Sequence, residues 1–165
     1  MNIFLTDPDP TTCAQALDNS RVVKMVLETA QLLSTACEML QIEPVGLYRI
    51  THMNHPCGVF ARQSLGNFKW LVEHGLALCA EFEFRFGKVH ASEAIIKSAY
   101  QQMMEAHYEG DGLTNGWRTD LDFSFNCSGF NTGDLFEDYR ECMRRKWATD
   151  KIRLKWSHRG QPAWR

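Results

Sequence analysis

Between Val59 and Phe86 the apolar residues Phe60, Leu65, Phe68, Leu71, Val72, Leu76, Cys79 and Phe82 return chiefly at three- and four-residue steps. That is the period of a helix with one buried face, whereas a strand would scatter the same residues over both of its sides. Gly87 follows at once, and glycine readily takes the left-handed conformation in which helices end. A helix over 59–86 is therefore the firmest element of an expected all-α fold.

Shorter stretches repeat the pattern. The segment TDPDPTT reads as a turn, because its two prolines restrict their neighbours and its Asp and Thr side chains are suited to capping the helix expected from Thr12 to Leu17. Ser20 is the expected cap of a helix from Arg21 to Leu40, in which Val22, Val23, Val26, Leu27, Ala30, Leu33 and Leu40 cover much of the circumference before Pro44 and Gly46 end it. LYRITHMNHPCG holds no period and reads as a loop. Ser92 opens a helix to Tyr108, with Ile95, Ile96, Ala99 and Met103 inward, and a last helix runs from Thr132 to about Ala148. Glu109 to Asn131 is rich in Gly, Asp, Asn and Ser, yet it carries Trp117, Phe123 and Phe125; such a segment reads as a functional loop rather than a linker. The expectation is a single compact all-α domain over residues 1–165, of about five or six helices with a long irregular loop before the last.

A chain of 165 residues buries roughly 70% of its unfolded surface, enough for a core without metals or disulfides. The apolar runs are broken by charge and the start, MNIFLTDPDP, is neither basic nor long and apolar, so neither a signal peptide nor a membrane span is expected. Six cysteines, none at the two-residue spacing of zinc sites, read as reduced and mostly buried thiols of a cytoplasmic protein. Walker-type glycine loops, GxSxG elbows and HExxH pairs are absent from the sequence, and no cofactor is expected.

The net charge of −2 conceals an asymmetry: residues 1–139 hold 9 basic against 18 acidic side chains, residues 140–165 hold 9 against 2. A basic tail of this kind either clamps onto the acidic body or lies along a polyanion. Its Trp147, Trp156 and Trp164 interleave with Arg153, Lys155, His158, Arg159 and Arg165, a mixture that either docks the tail on the core or stacks on bases and neutralises phosphates.

Arg21, Lys24, Glu28, Gln31 and Thr35 are separated by three, four, three and four residues and so share one polar stripe of the second helix. Either the stripe lines a pocket, with Arg21 and Lys24 holding an anion and Glu28 serving as an acid or base, or Lys24 and Glu28 form an ordinary outward pair. His52, Asn54 and His55, in a loop held by Pro56, offer imidazole and amide groups for a phosphate or a base edge, for helix capping, or for a metal ion, although no second pair of ligands has the spacing a metal site needs. Arg62, Arg85 and His90 flank the long helix, and Glu81 with Arg85 makes a surface pair the expectation for Arg85.

MNIF, ALDNSRVVKMVLETAQLLSTA, THMNHPCGVFARQS, NFKWLVEHGLALCAEFEFRFGKVH and the closing KWSHRGQPAWR together resemble a family of small bacteriophage proteins described as pyrimidine dimer DNA glycosylase-like. The likeness covers roughly residues 1–90 and the tail. Where that family commonly has Asp-Lys-His before VVKM, this chain has Asp18, Asn19, Ser20 and Arg21, which keeps a donor and removes a titratable base. The positions that carry over are Asp18, Lys24, Glu28, Gln31, His52, Asn54, His55, Arg62, His90, Trp156 and Arg159. The resemblance implies a pyrimidine-specific DNA N-glycosylase of DNA repair in the cytoplasm of an infected bacterium, with DNA or a pyrimidine nucleotide as its partner. Lys24, Glu28 and His55 would be catalytic, with Lys24 attacking the sugar or Glu28 activating water; the other positions and Arg21 would bind the ligand. The best-studied phage repair enzyme attacks with an N-terminal threonine amine; this sequence begins Met1-Asn2, so Lys24 would have to substitute, or Glu28 would activate water in a route without lyase chemistry. Two other readings fit the same pocket: a transferase that hypermodifies thymine in DNA, and a non-catalytic protein that sequesters small nucleotides.

Overall fold

The computed structural model describes residues 1–42, 45–109 and 117–165. Six helices and no strand occur among them: α1 (Pro10–Ala16), α2 (Asn19–Met39), α3 (Pro56–Gln63), α4 (Leu65–Phe86), α5 (Glu93–Glu109) and α6 (Leu135–Thr149). The fold is all-α, as expected. Helix α2 packs on α3, α4 and α5, and α1 packs on α4. Buried residues of the first five positions, of all six helices and of the tail join in one core. No helix among the described residues is long and apolar enough to cross a membrane.

The expected helix over 59–86 is two helices. Ser64 takes extended backbone angles, φ −153° and ψ 160°, ending α3 and capping α4. Its hydroxyl accepts the Asn67 N–H and donates to the Asp120 carbonyl, while the Leu65 N–H donates to Arg118. A one-residue break leaves the apolar period almost undisturbed, so periodicity does not register it. The long loop is thereby fixed to the start of α4, and Asn67 closes the joint by bonding both ways with the Asp122 backbone. At Gly66 the two backbones almost touch, since a Cβ there would lie 2.4 Å from the Asp120 carbonyl carbon. Gly66→Ala is expected to cost about 1–3 kcal/mol in urea unfolding, because backbone rather than a flexible side chain has to move; an unchanged midpoint would show that the loop yields freely. The loop residues 110–116, and Pro44 at the end of the second helical unit, lie outside the described residues.

Other boundaries shift for local reasons. Asp18, not Ser20, caps α2, accepting from the Ser20 and Arg21 N–H groups, and Ser20 lies inside the first turn. The last helix begins at Leu135 rather than Thr132, capped by Asp134, because Thr132 instead gives its N–H and hydroxyl to Asp138. Ser92 does precede α5, its carbonyl receiving the Ile96 N–H, while its hydroxyl meets Tyr48. Gly87 ends α4 at φ 64°. All six cysteines are free thiols, and only Cys127 is not fully buried.

Arg85 is not a surface residue. It is 4% exposed, its Nε donates to Glu81 at 2.6 Å, and its other nitrogens reach the carbonyls of Leu17 and Gln15 and the Asn19 side chain. The guanidinium thus satisfies carbonyls at the end of α1 that have no helical partner.

His74 is buried in α4, stacked on Trp70 with its Nδ1 3.1 Å from the Pro10 carbonyl. Burial pushes its pKa down to about 4 from 6.5. The unfolded chain therefore binds a proton that the folded chain refuses: His74's contribution is complete above pH 6.5 and is lost as pH falls toward 4. Urea unfolding between pH 7 and 4 is expected to show the parent losing roughly 3 kcal/mol more than His74→Gln, since each pKa unit is worth about 1.4 kcal/mol; parallel pH profiles would contradict it.

Candidate functional site

The site begins with the first five residues. Asn2 Oδ1 accepts the N–H groups of Ile3 and Phe4 at 2.7 and 3.0 Å, and Phe4 adopts a positive φ of 55°. Ile3, Phe4 and Leu5 are buried, so this bent strap is anchored in the core. The bend aims the start of the chain at α2: the Asn2 N–H donates to Glu28 Oε2 at 3.1 Å, and the Met1 amino group lies 4.0 Å from the same oxygen. On the other side, Lys24 Nζ is 3.2 Å from Glu28 Oε1. Glu28 is 8% exposed, a carboxylate held between two amines.

These groups lie in a cleft of about 290 Å³ whose walls include Phe4, Arg21, Lys146 and Asp150 as well as Met1, Lys24 and Glu28. Arg21 is fixed at one end, its Nη1 bonded to Asp18 at 2.6 Å and to Asp150 at 2.8 Å. Asp18 itself is buried and also receives the Ser20 hydroxyl and the Trp147 indole N–H. Burial pushes the Asp18 carboxyl up, but hydrogen bonds from Ser20, Trp147 and Arg21, with the Arg21 charge, outweigh it and hold the group below its ordinary value. Asp18 therefore joins α2 to α6 and orients Arg21 without lining the cleft.

Further along α2, Thr35 bonds both the N–H and the carbonyl of Thr51, tying the polar stripe to the imidazole loop. His55 Nδ1 accepts the Cys57 N–H at 3.1 Å and caps α3, so a neutral ring carries its proton on Nε2. Burial lowers the His55 pKa, the positive charges of the Met1 amine and His52 lower it further, and Glu28 opposes them. His55 thus senses both reactive-looking groups of the cleft. His52, at φ 50°, and Asn54 are exposed on the same loop, with the two imidazole rings 6.4 Å apart. Gln31 is half-buried one turn beyond Glu28. Arg62 is half-buried in the last turn of α3: its Nη1 is buried without a hydrogen-bond partner, 3.5 Å from where a Gly58 Cβ would be.

Of the residues singled out in the sequence, Arg21, Lys24 and Glu28 line the cleft, whereas Asp18, Gln31, His52, Asn54, His55 and Arg62 are outside its walls and three more are engaged elsewhere. His90 accepts the Ser92 N–H at the start of α5. Trp156 is buried, with its indole N–H on the Ala16 carbonyl, and Arg159 holds Glu81 through two nitrogens while its guanidinium covers the Phe84 ring. The tail docks: Trp147 packs against Trp156 and stacks on Trp164. Sequence reasoning missed Phe4, Lys146 and Asp150 as wall residues, and it set the Met1 amine aside in favour of Lys24. The MNIF start was the available signal for that amine; nothing local in the sequence marks Lys146 or Asp150. Among the described residues no group of three or more His, Cys, Asp or Glu side chains is placed to hold a metal ion.

No curated protein and no solved structure matches the chain. The family model described as pyrimidine dimer DNA glycosylase matches residues 1–93, a span that takes in α1 to α4, the N-terminal strap, Glu28 and His55. With more than half of its length matched, the chain belongs to the pyrimidine dimer DNA glycosylase family.

Proposed function

We propose that this protein excises a pyrimidine lesion from DNA, and that the reacting groups are Glu28 and the amine beside it. The observation that carries this reading is the partly enclosed Glu28 carboxylate with the Met1 amine 4.0 Å from one oxygen and Lys24 3.2 Å from the other. An amine is a competent nucleophile for C1′ of a deoxyribose once it has lost its proton, and Glu28, 4.0 Å from the Met1 amine, is the carboxylate that would take that proton through one bridging water. The amine forms a bond to C1′ as the bond from C1′ to the base nitrogen breaks. The base leaves with the electron pair and takes up a proton, and the sugar adduct then opens to an imine. Positive charge building on the sugar faces the Glu28 carboxylate, which favours the transition state. Met1 is the preferred nucleophile because its amine sits on the strap anchored in the core, beside the Asn2 N–H that donates to Glu28, whereas the Lys24 amine is at the end of a side chain 69% exposed. Lys24 then neutralises a flanking phosphate, and the loop of His52, Asn54 and His55, which is outside the cleft walls, meets the neighbouring part of the strand. The target nucleotide has to leave the duplex stack to reach such a cleft.

The test is a duplex containing one cyclobutane pyrimidine dimer. Abasic product or strand breaks confined to the dimer are expected, with undamaged duplex intact. Intact strands at stoichiometric protein would overturn the reading; a base that gains mass would indicate transfer, and a nucleotide recovered unchanged would indicate sequestration.

A further inference from the structure

The basic excess of residues 140–165 divides into two groups. Arg140 pairs with Asp7 and Glu137, Arg144 with Glu137 and Glu141, Arg145 with Glu141, and Arg159 with Glu81. Lys146, Lys151, Arg153 and Lys155 are exposed and have no carboxylate partner among the described residues. These four are consecutive among the cations of the tail, and they lie beside the cleft. Lys146 and Asp150 are in its wall, and the Lys155 carbonyl accepts the Asn19 N–H at 2.8 Å, pinning the segment to the start of α2.

From 153 to 156 the side chains alternate: Arg153 and Lys155 are exposed, Leu154 is half-buried and Trp156 is buried. Arg153 and Lys155 thus face solvent on either side of the inward Leu154, and Lys151 is exposed two residues before Arg153. Arg140, Arg144, Arg145 and Arg159 are ion-paired, and Arg165 is held by Gln161 and over the Trp156 ring, which leaves 146–155, among the described residues, as the one run of successive tail cations partnered neither by a carboxylate nor by the tail's own tryptophans.

We infer that Lys151, Arg153 and Lys155, continued by Lys146 at the edge of the cleft, form a strip that binds the phosphate backbone of DNA beside the cleft. This rests on the reading that the cleft takes a nucleotide still in its strand. The strip lies beyond the residues that the family match covers. It gives an acidic chain a local surface for a polyanion, while the remaining cations of the tail hold the fold.

Salt-dependent binding of a short fluorescein-labelled, undamaged duplex tests this, read by anisotropy from about 50 to 200 mM NaCl. Each lost phosphate contact flattens the plot of log affinity against log salt by roughly 0.9. The Lys151→Gln/Arg153→Gln/Lys155→Gln chain is expected to be flatter by about 2–3, with its melting temperature unchanged because none of the three side chains has a carboxylate partner. Lys151→Arg/Lys155→Arg should keep the parent slope, and so should Arg145→Gln. An unchanged slope in the triple variant, or an equal loss in Arg145→Gln, would overturn the strip. The outcome is separable from that of the excision reading. Salt-dependent binding through these residues without base release would leave the strip standing and the chemistry wrong; base release with a salt slope indifferent to them would do the reverse.

Discussion

Glu28→Gln is expected to lower base release from dimer-containing DNA by about 100- to 10,000-fold, the range typical of a removed acid–base group, while leaving duplex binding intact. The substitution keeps the shape of the side chain and an oxygen that is able to accept the Asn2 N–H, now 3.1 Å from Oε2. What it removes is the charge between Met1 and Lys24 and the capacity to take a proton from either amine. A single-turnover assay is the proper readout, since it isolates the chemical step from product release. Parent-like rates would remove Glu28 from the reaction and leave it a packing residue. Unfolding of the variant is not expected, because Glu28 is the acceptor for only one backbone hydrogen bond.

The largest stability effect is expected at Arg85, far from the cleft chemistry. Arg85→Met should cost about 3–5 kcal/mol, the usual result of deleting one partner of a buried pair, and depress the melting temperature by on the order of 10 °C. Its methylenes are replaced well enough by methionine, but three acceptors at the end of α1, the carbonyls of Gln15 and Leu17 and the Asn19 amide oxygen, lose their donor. Glu81 keeps only Arg159, whose side chain is 34% exposed. The exposed Arg145→Gln control should move stability by no more than about 0.5 kcal/mol. A melting temperature for Arg85→Met equal to that of this control would show that the network contributes nothing to holding α1 on α4.

Residues with a strong helical period were legible in the sequence, and the all-α class followed from them. Ser64 was not, because a break that satisfies its own backbone groups costs the apolar pattern nothing. Ser20 and Asp18 show a related limit: both are good caps, and the choice is made by Trp147 and Arg21, which arrive from distant or later positions to occupy the Asp18 carboxylate. Arg85 looked like half of a surface pair because helix spacing reports which residues are neighbours, not whether a second helix covers them. Spacing did place Arg21, Lys24 and Glu28 on one face, and that face does border a cleft. The other wall came from contacts across the whole chain, Met1 from one end and Lys146 and Asp150 from the other, which no local pattern encodes. His90, Trp156 and Arg159 shared residue types with a binding site but are engaged in helix capping and in tail docking.

Attack on the sugar by an amine beside Glu28 leaves an imine that can be trapped. Duplex bearing a single pyrimidine dimer is incubated with the protein and borohydride, which reduces an imine to a stable bond, and the adduct is located by peptide mapping. One covalent protein–DNA adduct is expected, carried by the Met1 peptide and lost in Glu28→Gln. An adduct mapped to a lysine outside the cleft, such as Lys88 or Lys97, or base release with no trappable adduct at all, would contradict attack by that amine.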